Sequence, residues 1–274
     1  MTDTNTYALA DAAHDSELAR LRTIEADWDA KTRRHLLDLG LGPGHRCLEA
    51  GAGAGGVARW LSGQVGPGGK VVATDIDPRF LADLKADNLE VRRHDIAVDP
   101  LETESYDLVH CRVLLIHMRD PAAVLQRLFA AVRPGGVLLL EETTGRAGSG
   151  APGWSGAAAF DRAEARYLAM LAAIGVRMTF GAHLPSLLLG LGAVDVGAEE
   201  TAHLLRPGPQ VALRLATVRA LRTHAVASGS FTEAEIDEYC ALLADPDLVA
   251  VNSPLLSVWG RRPSTYASPF HERG

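Results

Sequence analysis

Apolar and polar positions alternate in a repeating order between residues 46 and 142. Short apolar runs end at turns rich in glycine or aspartate, and apolar residues at helical spacing follow most of these turns. The runs predict strands at 47–50, 70–74, 89–94, 106–115 and 137–141. The segments between them predict helices from 57 to about 62, at 75–87 and at 120–132. Strands that alternate with helices are typical of an α/β fold with a doubly wound, parallel sheet.

Helical and strand-like patterns also occur on either side of this region. Upstream, they predict helices at 15–28 and 32–39, with Thr32 as the N-cap of the second. Downstream, a Gly/Ser/Pro-rich stretch at 145–156 precedes an amphipathic helix that carries Phe160 and Tyr167. The remaining patterns predict helices at 183–190, 209–227 and 232–244, and strands at 194–205 and 254–259.

A glycine-rich turn follows the first predicted strand. Gly51, Gly53 and Gly55 allow positive φ angles and a close approach of the backbone to a ligand, and the next helix directs free N–H groups at that ligand. Gly51, Gly53 and Gly56 also match the G-x-G-x-x-G pattern of dinucleotide sites, with Asp75 at the spacing of a ribose-binding acid. The glycines alone therefore do not separate the two kinds of cofactor that use such a turn.

Glu49, at the end of the strand, distinguishes between these two kinds of cofactor. Its carboxylate would face the pyrophosphate of a dinucleotide, whereas it would attract the α-ammonium and sulfonium groups of S-adenosylmethionine (SAM). The stretch from Glu49 to Gly55 resembles the first motif of class I SAM-dependent methyltransferases, of the bacterial small-molecule type. The segment 71–75 is similar to the second motif, 94–96 to the third and 106–117 to the fourth.

The resemblance implies a role for several residues. Asp75 would accept hydrogen bonds from both ribose hydroxyls, with Ile76 beside it. Asp95 would accept from the adenine amino group, and Ile96 would pack on the ring.

The fourth motif implies contacts with the methionine part of SAM. Cys111 and Arg112 would lie beside it, with Arg112 either neutralising the cofactor carboxylate or forming a surface salt bridge.

The resemblance also implies the architecture. We expect a doubly wound, seven-stranded, mostly parallel sheet whose last strand is antiparallel, with helical cap elements. Residues 1–40 would form N-terminal helices over the active site or pack on the sheet edge. Residues 41–262 would form the SAM-binding domain, with cap insertions at about 145–190 and 207–250 that admit the acceptor, and 263–274 a tail.

His117 is the candidate catalytic residue. It follows the fourth predicted strand, where the chain should border the transferred methyl group, and histidine is the commonest general base. The alternative is a structural histidine at a helix start, bonded to backbone.

Composition and charge argue against several classes of function. The net charge of −7 and the 5% aromatic content argue against a general nucleic-acid binder. Three widely spaced cysteines indicate reduced thiols and a cytoplasmic protein. No apolar run approaches about 18 residues, so no membrane span is expected. The scattered histidines predict no metal site, although Asp120, Glu141 and Glu142 are acids that a cation-dependent relative would use.

The sequence thus predicts methyl transfer from SAM to an O, N or C atom of a small organic acceptor in natural-product metabolism. Two alternatives stay open: an NAD(P)-dependent oxidoreductase, and a SAM-binding cyclase of the same fold that does not methylate. The sequence does not decide between a monomer and a homodimer.

Overall fold

The structure is a computed structural model that describes residues 14–264, with side chains from Glu17 onward. The expectations for residues 1–13 and for most of the tail therefore lie outside the described residues.

Ten strands within residues 14–264 form two sheets. They are β1 (Arg46–Ala50), β2 (Lys70–Asp75), β3 (Leu89–Arg93), β4 (Tyr106–Arg112), β5 (Val132–Thr143), β6 (Ser149–Gly150), β7 (Val194–Thr201), β8 (Leu204–Leu205), β9 (Ala250–Val251) and β10 (Leu255–Arg261). The main sheet has seven strands in the order β3-β2-β1-β4-β5-β10-β7, and β6, β9 and β8 form a small second sheet. Strands β1 to β5 are parallel, while β10 is antiparallel to both β5 and β7. This confirms the predicted fold class, including the antiparallel last strand.

Eight α-helices occur in the described part of the chain. They are α1 (His14–Asp38), α2 (Gly56–Val65), α3 (Pro121–Ala131), α4 (Ala157–Ala173), α5 (Leu184–Gly190), α6 (Pro209–Ala220), α7 (Arg222–Ala227) and α8 (Glu233–Leu243). Short 3₁₀ turns occur at Pro78–Leu81, Leu115–His117 and Phe180–His183.

Both faces of the main sheet are covered, because alternate strand residues point in opposite directions. Leu48 of β1 belongs to a buried cluster that includes residues of α3 and α5. Its neighbour Cys47 belongs to a cluster on the other face that includes residues of α1 and α2. A third cluster unites α4 with α6, α7 and α8, so the cap helices have a core of their own.

The N-terminal region differs from the prediction of two helices. One helix, α1, runs from His14 to Asp38, since no glycine or proline interrupts it. The hydroxyl of Thr32 does not cap a helix; it donates to the carboxylate of Glu141 in β5.

Several other boundaries also differ. The helix predicted at 75–87 is only the 3₁₀ turn Pro78–Leu81, and Leu81 and Leu84 are buried against the glycine turn at Gly55. Strand β4 ends at Arg112, where Val113 adopts a φ of 51°. The long strand predicted at 194–205 divides into β7 and β8, which belong to different sheets.

Candidate active site

A cavity of about 200 Å³ lies at the carboxyl ends of β1 to β4. The order of the strands reverses between β1 and β4, and such a switch point is where doubly wound sheets place their ligands. Nine of the predicted site residues line it: Glu49, Gly51, Gly53, Asp75, Ile76, Asp95, Ile96, Arg112 and His117.

Two predicted residues do not line the cavity. Gly55 is the N-cap of α2 with a φ of 84°, and a Cβ there would lie 2.4 Å from the Leu84 side chain. Gly55 therefore allows the turn to pack closely against Leu84. Cys111 is fully buried, and burial raises the pKa of its thiol well above the usual value. It points to the opposite face of β4 from Arg112, which corrects the expectation that it contacts the cofactor.

Asp75 joins the end of β2 to the glycine turn. Its Oδ2 accepts a hydrogen bond from the Gly53 N–H at 2.9 Å, and its Oδ1 accepts from the Asp77 N–H at 2.9 Å. Burial raises the pKa of the Asp75 carboxyl, although these two N–H groups oppose the shift. The carboxyl is therefore held in one orientation at the cavity wall.

Asp95 and Ile96 form a turn after β3. Asp95 Oδ1 accepts from the Ala97 N–H at 2.9 Å, and the Asp95 N–H donates to Asp99 Oδ2 at 2.8 Å. Ile96 is 5% exposed, whereas Ile76 on the other side of the cavity is 42% exposed. The two isoleucines give this end of the cavity apolar walls beside a carboxylate.

Glu49 lies at the inner end of the cavity and is 4% exposed. His110 Nδ1 lies 2.7 Å from Glu49 Oε2, and His110 Nε2 lies 3.2 Å from Glu141 Oε2. Burial opposes a charge on His110, but the two carboxylates outweigh it and raise the His110 pKa to about 9. Burial opposes the ionisation of Glu141, but the hydrogen bond from His110 and the nearby ring of His35 hold the pKa of Glu141 well below its usual range.

Arg112 is directed at helix α1. Its guanidinium donates to Thr32 Oγ1 at 2.8 Å and to Asp29 Oδ1 at 2.9 Å. The side chains of this ion pair are 9% and 12% exposed, so it is not the surface salt bridge considered above. Arg112 lines the cavity while it anchors α1 to the sheet.

His117 lies in the turn that follows β4. Its N–H donates to the Leu114 carbonyl at 3.0 Å, and the N–H groups of Leu114 and Leu115 donate to Glu142 Oε1 at 2.9 and 2.5 Å. The surrounding protein and the Arg20 cation lower the pKa of His117 to about 4. The imidazole is therefore neutral at pH 7, and its role as the general base stays a prediction.

Helix α1 supplies the cover of the cavity, and the sequence reasoning missed its residues. Glu25 Oε1 accepts from the Gly56 N–H at 2.6 Å, at the N-terminus of α2. Burial raises the pKa of Glu25, although that N–H opposes the shift. The sequence does contain a sign of this polar face, because the spacing of Glu25, Asp29 and Thr32 places three polar side chains on one side of a helix.

The cap helices do not contribute to the cavity. None of its lining residues comes from 145–190 or 207–250 in the described part of the chain. Phe160 is fully buried and packs against Trp154 at a centroid distance of 5.7 Å. The expectation that 145–190 lies over the acceptor stays a prediction.

Two further findings concern residues 14–264. They contain no group of three or more His, Cys, Asp or Glu residues arranged to hold a metal ion. Within the same range, none of the helices combines the length and the apolar character that crossing a membrane requires.

The fold and the cavity together define a nucleotide-cofactor-binding protein of the doubly wound class. Residues 18–176, more than half of the chain, match the family model described as "Methyltransferase domain". The chain therefore belongs to the methyltransferase family. SAM is the cofactor of this class, and the match decides against the dinucleotide alternative.

Individual proteins agree with this assignment. The chain is 32% identical over 133 residues to Methyltransferase str2 of Strobilurus tenacellus, which covers 47% of each protein. It is 32% identical over 124 residues to Demethylmenaquinone methyltransferase of Lactococcus lactis, covering 43% of this chain and 48% of that protein. The chain thus spans about half the length of these relatives.

One solved structure shows the likeness of fold. It is phosphoethanolamine N-methyltransferase 2 of Haemonchus contortus, in complex with phosphomonomethylethanolamine and S-adenosylhomocysteine. The TM-score is 0.54 at 17% identity, over 86% of this chain and 53% of that one.

Proposed function

We propose that the protein transfers the methyl group of SAM to an O, N or C atom of a small organic acceptor. The observation that carries the proposal is the buried carboxylate of Glu49 beside the glycine turn, in the same cavity as Asp75 and Asp95. An acid at that point attracts a cationic amino-acid group and repels a pyrophosphate.

The residues of the cavity fit SAM along its length. Asp75 would accept from the ribose hydroxyls, and Asp95 from the adenine amino group, with Ile76 and Ile96 against the ring. Glu49 would pair with the α-ammonium group. Gly51 and Gly53 have positive φ angles of 72° and 56°, which favour glycine, so these two positions place no side chain in this space.

Arg112 is suited to the carboxylate end of the amino-acid part. Its guanidinium lines the cavity and is already aligned by Asp29 and Thr32. Because the side chain is fixed before the ligand arrives, little conformational entropy is lost on binding.

The acceptor would occupy the part of the cavity between α1 and the turn after β4. Apolar side chains line this part: Leu21, Ile24, Leu114 and Met118. The ion pair of Glu17 with Arg20, at 2.6 Å, is the charged feature nearby. Such a mostly apolar space suits a small organic molecule whose reacting group is its polar part.

His117 would take the proton that an acceptor hydroxyl or amine loses. When bound, SAM supplies a methyl group already activated by its sulfonium, so positioning and exclusion of water supply much of the rate. The chain's contribution is to cover the cavity with α1 and to hold a neutral imidazole at its wall.

The wider role is part of the same proposal. We place the protein in natural-product metabolism as part of this proposal. The net charge of −7 disfavours a nucleic-acid acceptor. Buried, unpaired Cys47 and Cys111 suit a reducing, cytoplasmic location.

Calorimetry followed by a methylation assay tests the function. The protein should bind SAM and S-adenosylhomocysteine but not NAD(P), and should transfer label from methyl-labelled SAM to a member of a small-molecule panel. Tight NAD(P) binding without a response to SAM would refute the proposal. Conversion of a substrate with SAM bound but no loss of its methyl group would instead establish the cyclase alternative.

A further inference from the structure

A row of buried polar side chains crosses the main sheet beneath α1. Glu49 of β1 lies opposite His110 of β4, and Glu141 of β5 lies opposite Ser257 of β10. The four residues are at most 4% exposed. Buried charges are costly unless they are paired, so the arrangement of this row needs a reason.

His110 is the cation of the row. Each of its ring nitrogens faces a carboxylate oxygen, Nδ1 that of Glu49 and Nε2 that of Glu141. A neutral imidazole carries one N–H and would present a lone pair to one of these carboxylates, whereas the imidazolium donates to both. The geometry therefore favours the charged form, in which both ring nitrogens donate to a carboxylate.

Glu141 is fixed from three directions. Its Oε1 accepts from Ser257 Oγ at 2.7 Å, its Oε2 accepts from Thr32, and His35 Nδ1 lies 3.6 Å from Oε1. This anchors one side of the imidazolium to α1 and β10. The other ring nitrogen, Nδ1, is thereby held in place beside the Glu49 carboxylate, which lines the cavity.

We propose that His110 is a positioning residue for the cofactor, which holds the Glu49 carboxylate in the orientation that binds the α-ammonium group of SAM. The proposal rests on the proposed function, in which Glu49 faces the amino-acid part of the ligand. Without the imidazolium, the Glu49 carboxylate would lose the N–H donor that fixes its orientation from 2.7 Å away. A carboxylate that is free to turn would bind the ammonium group less tightly, because its ordering would then cost conformational entropy on binding.

Two ligands separate this role from a structural one. S-adenosylhomocysteine carries the α-ammonium group, whereas 5′-methylthioadenosine lacks the whole amino-acid part. In calorimetry on the full chain, His110→Gln should weaken S-adenosylhomocysteine roughly 10- to 100-fold, the range for a lost charged hydrogen bond, and leave methylthioadenosine within about twofold. An equal loss for both ligands, or no loss for either, would overturn the proposal.

A double-mutant cycle locates the effect. In a Glu49→Gln background, His110→Gln should change the ratio of the two affinities little further, because the carboxylate it acts through is gone. Independent, additive effects would contradict the proposal. Ser62→Ala is the matched control, since it removes a buried hydrogen bond to Asn88 outside this row, and it should leave the ratio unchanged.

Folding of each variant is checked by thermal unfolding. If His110→Gln does not fold, the double variant His110→Gln/Glu141→Gln removes one buried charge of each sign and keeps polar atoms in place. It should show the same selective loss of S-adenosylhomocysteine. Failure of the proposed function is distinguishable, because the wild-type protein would then either not bind S-adenosylhomocysteine or bind it without transferring the methyl group of SAM.

Discussion

The carboxylate of Asp75 accepts a hydrogen bond from the backbone N–H of Gly53 at 2.9 Å. This contact ties the end of β2 to the glycine turn after β1, the two segments that the ribose and amino-acid parts of SAM would contact. The cofactor site is therefore partly organised before a ligand binds.

Replacing Asp75 with Ala should weaken SAM binding by about 1.5–3 kcal/mol, the range for hydrogen bonds to a charged group. Part of that loss comes from the freed Gly53 amide. Calorimetry measures it, with Asp83→Ala as the control, because Asp83 is exposed on the same segment. Equal affinities for the Asp75 variant and the wild type would show that another acid binds the ribose.

His117→Ala should lower kcat by about 10²-fold, the low end of the range for general-base loss, because a base of low pKa accepts protons weakly. SAM affinity should not change. The wild-type rate should fall as the pH falls through about 4, the pKa of His117, and should show no histidine ionisation near pH 6–7. His183→Ala, at an exposed histidine outside the cavity, is the control. A His117 variant within a few-fold of wild type would make this residue structural.

Glu142 should make the protein less stable as the pH rises. Burial raises its pKa from 4.5 to about 8, although N–H groups of Leu114 and Leu115 oppose the shift. Between these values the folded state holds a proton that the unfolded state releases, so the free energy of unfolding falls with pH by up to about 1.4 kcal/mol per unit.

The variant Glu142→Gln keeps a carbonyl oxygen for the two N–H groups but does not titrate. Its stability relative to wild type should therefore increase from pH 5 to pH 8 in urea unfolding. Glu238→Gln, at an exposed carboxylate, should show a constant difference. A constant difference for Glu142→Gln as well would mean that its carboxyl is ionised throughout.

Gly55→Ala should lower the free energy of unfolding by about 1–3 kcal/mol, because its Cβ would overlap the Leu84 side chain at a positive φ. Gly63→Ala is the control within the same helix. A Cβ there meets no atom within 4 Å, so the change should stabilise the protein by about 0.5–1 kcal/mol through helix propensity. Thermal or urea unfolding compares the two, and similar effects would contradict the packing role of Gly55.

Much of the fold and of the cofactor side of the cavity was determined by the sequence alone. Strand, turn and helix patterns are local, and the carboxyl ends of parallel strands meet at one edge of a sheet. Glu49, the glycine turn, Asp75 and Asp95 each lie at the end of such a strand or directly after it. Only the order of the strands was needed to predict that these residues meet in one cavity.

Tertiary structure alone decided the cover and the buried charges. Thr32 and Glu141, which are hydrogen-bonded, are 109 positions apart, and His110 and Glu49 are 61 apart, so no local pattern relates them. The same packing made α1 one helix and turned the predicted cap at Thr32 into a contact with the sheet. Local propensity is weak compared with burial and pairing of charges, and these depend on which strands become neighbours.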